Sequence, residues 1–134
     1  SNLHRQIGHT TSSIDTPKTS SLKARMQSIN PHIKIFEHPY ITVETAHLLD
    51  QYDVIIDGSD NPTCRYIVND YLMGKGKILL SGACIGWEGQ VTTYGGDGPC
   101  YRCIWGDQQV SMGGCGTLGV IGMLPGFVAM ILGV

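Results

Sequence analysis

The sequence predicts an α/β domain built on a largely parallel sheet. Two apolar runs carry that prediction, Asp53-Val54-Ile55-Ile56-Asp57 and Lys77-Ile78-Leu79-Leu80-Ser81. Short continuous apolar runs of this kind mark strands covered on both faces. A stretch of helix length separates them, opening at Pro62 and stopping at Gly74-Lys75-Gly76. Strand, helix and strand therefore alternate as a parallel crossover requires.

Taken in chain order, residues 1–16 are polar and rich in Ser and Thr, and read as a loop. Asp15 or Thr16 offers an N-cap and Pro17 a first helical residue, predicting a helix to about Ile29. Leu22, Met26 and Ile29 give that helix one buried stripe. Asn30-Pro31 ends it, and the alternation of His32, Ile33, Lys34 and Ile35 predicts a half-buried strand. Thr42 caps a short helix carrying Ala46, Leu48 and Leu49. After the strand at Val54, Gly58-Ser59-Asp60-Asn61 turns the chain into a helix running from Pro62 to about Met73. Gln90 to Tyr94 reads as a further strand and the apolar stretch from Leu118 as a buried helix.

Composition narrows the function classes. The 134 residues fit one domain or part of one. Charged residues make up 15%, against roughly 25% in ordinary soluble domains, and 18 glycines are present, which argues against disorder and against a long helical bundle. Nine Lys and Arg against eleven Asp and Glu leave no basic stripe for nucleic acid and no polybasic membrane patch. The most apolar run, residues 120–134, is interrupted by Pro125 and falls short of the about 20 residues a membrane span needs. Five cysteines, an odd number without a leader peptide ahead of them, fit a reducing compartment better than a disulfide framework, so the chain reads as cytoplasmic. It opens at Ser1 within a polar motif and closes at Val134 within an apolar run, and reads as a segment of a longer protein.

Several residues stand where chemistry is done. In open α/β sheets ligands bind outside the carboxyl ends of strands, and Asp57 and Asp60-Asn61-Pro62 lie between such an end and a helix start. A helix start favours phosphate, and a carboxylate there suits Mg²⁺, which takes one or two carboxylates plus phosphate oxygens. Equally, Asn61 serves as an N-cap and Asp60 as a solvated turn residue. Lys18 in a first helical turn opposes the helix dipole unless bound phosphate reverses the sign. Arg5, beside Asn2 in a polar loop, has the fork that grips phosphate, although it reads equally as a surface arginine.

Cys100 and Cys103 have metal-ligand spacing behind a Gly98-Pro99 turn, yet tetrahedral zinc needs four ligands and no second C-x-x-C is present. Cys115, in Gly113-Gly114-Cys115-Gly116, reads either as an accessible thiol before a helix or as an inert small residue. Cys64 and Cys84 read as core or near-core, and the five histidines as surface or turn residues. No Ser-His-Asp arrangement or G-x-S-x-G motif is present.

The motifs S-N-L-H-R-Q at 1–6, T-P-K at 16–18, D-V-I-I-D-G-S-D-N at 53–61 and R-Y-I-V-N-D at 65–70 together resemble the ThiF/MoeB/HesA adenylyltransferases, bacterial-type relatives of ubiquitin-activating enzymes. W-E-G-Q at 87–90, G-P-C-Y-R-C at 98–103 and G-V-I-G-M-L-P-G at 119–126 extend the resemblance over essentially the whole chain in the family's order. The resemblance implies a Rossmann-like, doubly wound sheet. It also implies Mg-ATP-dependent adenylation of the C-terminal Gly-Gly of a ubiquitin-like sulfur carrier of the ThiS, MoaD or Urm type, ahead of thiocarboxylate formation for thiamin, molybdopterin or tRNA thiolation.

Carried onto this sequence, the family's roles fall on particular residues. Ser1, Asn2, Leu3, His4, Arg5, Lys18, Asp60 and Asn61 would contact ATP, with Arg5 and Lys18 neutralising phosphate charge. Asp60 would be the essential carboxylate that holds Mg²⁺. Cys115 matches the family's loop cysteine, which in some members forms an acyl-disulfide or thioester. Cys100 and Cys103 would be two of four ligands to a structural zinc. A homodimer is expected from the family.

The resemblance also implies that residues 1–134 are the central and C-terminal part of one nucleotide-binding domain. The glycine-rich loop and ribose-binding acid would then lie upstream and the second C-x-x-C downstream, and this segment alone is not expected to form a stable ATP-binding domain. Two other readings compete. A non-catalytic partner that docks a ubiquitin-like protein has no need to keep Asn2, Arg5, Lys18 and Asp60 together. A nicotinamide-dependent oxidoreductase is permitted by the sheet pattern alone, but no hydride-transfer site is evident and the C-x-x-C has no part in that chemistry.

Overall fold

The computed structural model describes residues 2–96, 98–107 and 119–133. The chain divides into two compact units, Ser1–Pro39 and Tyr40–Val134. In the first, a short 3-10 turn at Thr11–Ser13 precedes helix α1, Lys18–Ile29. Pro17 itself occupies the N-cap, one residue later than the sequence suggests, and Asp15 ahead of it adopts a left-handed φ of 67°. The expected stripe of Leu22, Met26 and Ile29 is exposed, and α1 buries no residue.

No strand forms at Ile33–Ile35. Both isoleucines are half-buried while His32 and Lys34 are exposed, so the alternation that suggested a strand is real. What is lacking is a paired neighbour, because among the described residues no backbone forms a ladder with this stretch. Alternation of side chains records a one-sided environment, and a strand needs a ladder as well.

The second unit holds a three-stranded sheet: β1, Val54–Asp57; β2, Ile78–Ile85; and β3, Glu88–Tyr94, in the order β1-β2-β3. β1 and β2 run parallel with Ile55 opposite Leu79 and Asp57 opposite Ser81. β2 and β3 run antiparallel, Ile85 opposite Glu88, around a tight turn at Gly86-Trp87. The sheet of the described residues is therefore mixed rather than largely parallel, since a two-residue connection can only return the chain antiparallel.

Helix α2, Pro62–Leu72, makes the parallel crossover. Asn61 caps it, its Oδ1 accepting from Thr63 N at 2.9 Å, and Pro62 supplies a first residue whose missing N–H costs nothing there. Val68 and Leu72 of α2 pack with Ile55, Leu79, Tyr94 and Leu49 into the core, and Leu49 comes from a 3-10 helix at Ala46–Gln51. Thr42 stands ahead of that helix rather than at its cap: Thr42 N donates to Thr45 Oγ1 at 2.8 Å, and Thr45 is the N-cap.

A short helix, α3 at Tyr101–Trp105, lies against α2, and α4 at Leu124–Leu132 packs on β2 and β3. Ser81 of β2 touches α2, so by strand alternation Gly82 faces the opposite side, where α4 sits. A Cβ at Gly82 would stand 2.8 Å from both Leu132 Cδ1 and Val128 Cγ1, and one at Gly89 would stand 2.9 Å from Val128 Cγ2. Two glycines therefore admit α4 to the sheet. Only one side of α4 is covered: Val128 and Leu132 are buried, while Phe127, Met130 and Ile131 are exposed, so the helix is not buried all round as its composition suggests. Likewise β1 is covered on one face, with Val54 and Ile56 exposed at 48% and 59%. Among the described residues no helix is long and apolar enough to cross a membrane.

The close approach at Gly82 sets an expected outcome. Gly82→Val in the complete protein should lower unfolding free energy by about 1–3 kcal/mol through overpacking against Val128 and Leu132. Urea denaturation measures it, and an unchanged midpoint would contradict the seating of α4.

Candidate functional site

The loop at the carboxyl end of β1 is fixed by buried polar groups. Asp57, the last strand residue, is buried, and its Oδ1 accepts from Ser59 N at 2.8 Å. Arg65, one turn into α2, is also buried. Its Nη1 donates to Ser81 Oγ at 2.6 Å and lies 3.8 Å from Asp57 Oδ2. Its Nη2 donates to Gly82 O at 2.9 Å and to Ser59 O. The guanidinium thus joins the loop, the end of β1 and the middle of β2. A buried charge persists only when it is paired and its donors are satisfied.

Asp60 and Asn61 follow Ser59 and are exposed. Among the described residues nothing hydrogen-bonds or ion-pairs with the Asp60 carboxylate, while Asn61 is occupied as the cap of α2. Asp60 stands at a strand's carboxyl end and a helix's amino end, where ligands of open α/β sheets bind and where the helix dipole favours phosphate. One exposed carboxylate fits Mg²⁺, an ion that takes few protein ligands and keeps phosphate oxygens and water. Cys64, on the first turn of α2, packs against the core, and burial together with the nearby Asp57 charge pushes its thiol up from the usual value. It is a packing residue, kept protonated.

In the first unit, Asn2, Leu3 and Lys18 line an open cavity of about 310 Å³ together with Gln6, His9 and Thr10. Asn2 O accepts from Arg5 N at 3.1 Å, which folds the segment into a turn, and Arg5 Nη1 lies 3.3 Å from His4 Nε2. Lys18 lies in the first turn of α1, as expected, and carries its charge at the wrong end of the helix dipole. Asn2 and Lys18 are thus brought to one cavity within this unit, and Asp60 and Asn61 to one loop within the other. Ser1 and Cys115 lie outside the described residues.

The two cysteines of the C-x-x-C pair lie close together. Cys100 Sγ and Cys103 Sγ are 3.2 Å apart, and two thiolates on one tetrahedral zinc with about 2.3 Å bonds stand about 3.8 Å apart, so a small side-chain adjustment admits the ion. Burial raises the Cys100 thiol, but hydrogen bonds from Cys103 and from the backbone of Cys103 and Arg102 outweigh it and bring the thiol below its ordinary value. Among the described residues no group of three or more His, Cys, Asp or Glu side chains converges, so a tetrahedral metal site is not complete within them.

α2 also holds this pair in place. Asn69 Oδ1 accepts from Tyr101 N at 2.8 Å, and Arg102 Nε and Nη2 grip Asp70 at 2.7 and 2.6 Å. The Arg102 guanidinium holds the Asp70 carboxyl below the usual range and is itself held more firmly protonated by Asp70 and Asp107. Tyr66 OH donates to Gly106 O at 2.9 Å. Arg65, Asn69, Asp70 and Arg102 were not marked as site residues by the sequence. Arg65, Asn69 and Asp70 lie in R-Y-I-V-N-D, where the four-residue spacing of Arg65 and Asn69 is the one available signal.

Comparison with known proteins gives the family of the chain. The family model described as the ThiF family matches residues 1–134. Adenylyltransferase and sulfurtransferase MOCS3 of Arabidopsis thaliana is 41% identical over 135 residues, covering 97% of this chain and 29% of its own length. Adenylyltransferase and sulfurtransferase UBA4 of Lodderomyces elongisporus is 38% identical over 138 residues, covering 98% and 30%. Sulfur carrier protein adenylyltransferase of Thermus thermophilus is 37% identical over 142 residues, covering 98% and 52%. The chain therefore spans about a third to a half of the length of these relatives. With its family model matched from the first residue to the last, the chain belongs to the ThiF family.

Proposed function

We propose that this chain is part of an enzyme that uses ATP to adenylate the C-terminal Gly-Gly carboxylate of a ubiquitin-like sulfur-carrier protein. The observation that carries the reading is the Asp60 loop: an exposed, unpaired carboxylate at the carboxyl end of β1 and the amino end of α2, with the residues around it pinned. Relatives named adenylyltransferases, one of them a sulfur carrier protein adenylyltransferase, support it. So does the cavity beside Asn2 and Lys18, which offers an unpaired cation at a helix start.

In this reaction a carboxylate oxygen of the carrier attacks the α-phosphorus of ATP. An acyl–O–P bond forms, the bond to the β-phosphate oxygen breaks, and pyrophosphate leaves. The nucleophile is already ionised, so no general base is required, and the difficulty is bringing anions together. Catalysis is then chiefly charge neutralisation and positioning. Arg5 and Lys18 are the proposed contacts to phosphate oxygens, with Ser1, Asn2, Leu3, His4 and Asn61 as further proposed contacts to the nucleotide. Asp60 would hold Mg²⁺, an ion that would supply charge neutralisation at the phosphates.

Cys115 is the proposed site of any covalent acyl intermediate. Cys100 and Cys103 supply half of a structural zinc site whose other ligands lie elsewhere in the protein. The three strands are proposed to belong to a doubly wound, Rossmann-like sheet of one nucleotide-binding domain, in a homodimeric cytoplasmic enzyme.

Asp60→Ala should abolish ATP–pyrophosphate exchange in the complete enzyme while carrier binding stays measurable. Retained exchange would overturn the role of Asp60. Replacing both ligands, Cys100→Ser with Cys103→Ser, should take zinc from stoichiometric to trace levels by elemental analysis and lower the melting temperature. Full zinc occupancy in that variant would contradict the metal site.

A further inference from the structure

We propose that Arg65 is the positioning residue for Asp60: its buried guanidinium holds the β1–α2 loop so that the carboxylate is presented from a fixed backbone. The proposal rests on the reading of Asp60 as the magnesium-binding carboxylate. Both backbone polar groups of Ser59 are engaged, its N–H by Asp57 Oδ1 at 2.8 Å and its C=O by Arg65 Nη2. Asn61 is tied on the other side, its side chain to Thr63 N at 2.9 Å and its C=O to Arg65 N at 3.3 Å. Asp60 is the residue between, exposed and unpaired among the described residues. The Arg65 guanidinium therefore holds the residue before Asp60, while the capped first turn of α2 holds the residue after it.

The anchor is rigid because its other partners lie in the sheet. Ser81 Oγ at 2.6 Å and Gly82 O at 2.9 Å belong to the central strand β2, and Asp57 at 3.8 Å closes β1. A planar fork reaches these acceptors at once, whereas a lysine ammonium keeps the charge beside Asp57 but not the set of directions. A carboxylate that must meet a cation and phosphate oxygens in one geometry loses rate when its support loosens, even where the fold survives.

The test uses the complete enzyme with Arg65→Lys, Ser81→Ala and Asp60→Asn. Melting temperature is followed alongside the Mg²⁺ concentration giving half-maximal ATP–pyrophosphate exchange. Arg65→Lys should raise the Mg²⁺ requirement about tenfold or more, and lower kcat more than it raises KM for ATP. Ser81→Ala should shift the requirement in the same direction by less, and it decides the matter if Arg65→Lys does not fold. An unshifted Mg²⁺ requirement in the folded variants, with exchange lost in Asp60→Asn, overturns the proposal alone and leaves Arg65 a fold residue. Wild-type exchange and Mg²⁺ requirement in Asp60→Asn overturn the reading of Asp60, and the proposal with it.

Discussion

Burying a guanidinium costs several kcal/mol unless its donors find acceptors, and removing one partner of a buried ion pair costs about 3–5 kcal/mol. Arg65 meets the condition with acceptors drawn from the loop, from β2 and from the end of β1. The core residues Ile55, Val68 and Leu79 can bring α2 onto the sheet by burial alone, but burial is non-directional. Arg65 adds the direction. It sets where α2 begins relative to the strand ends, and so where the turn carrying Asp60 and Asn61 must lie.

From that start, α2 serves three surfaces with one helical period. Arg65 and Asn69, four residues apart, recur on one side, with Tyr66 and Asp70 beside them, while Val68 and Leu72 enter the core. Asn69, Asp70 and Tyr66 fasten the segment that carries Cys100 and Cys103, through Tyr101 N, Arg102 and Gly106 O. Tyr101 fills the space between, its ring edge-on to Tyr66 at 5.1 Å and to Tyr94 at 5.7 Å. The pair of thiols is thereby held close before any ion binds, which lowers the ordering cost of binding one. A single helix thus joins the proposed nucleotide loop at its start to the proposed zinc knuckle at its end.

What could be read from the chain, and what could not, follows from how local each signal is. The Asn61-Pro62 start of α2 is written in adjacent residues, and the structure places the cap and the first turn there. The apolar runs at Val54 and Ile78 are likewise local, and both are strands. By contrast, Ile33 and Ile35 alternate correctly yet form no ladder, because pairing depends on a neighbour that no local pattern encodes. The stripe of Leu22, Met26 and Ile29 is periodic and exposed for a related reason: periodicity names a face, and only a partner covers it. Arg65 was the hardest to read. An arginine in a helix is most often solvated, and its burial here depends on Ser81 and Gly82, sixteen and seventeen residues away. Cys115, singled out by its glycine-rich surroundings, lies outside the described residues.

The most direct measurement is intact-mass analysis of a sulfur carrier incubated with the complete enzyme, Mg²⁺ and ATP under conditions that trap acyl-phosphates. The expected product is a carrier heavier by one adenylate, formed with release of pyrophosphate and absent when the carrier lacks its terminal Gly-Gly. A carrier that stays unmodified while the enzyme binds or hydrolyses ATP would contradict it.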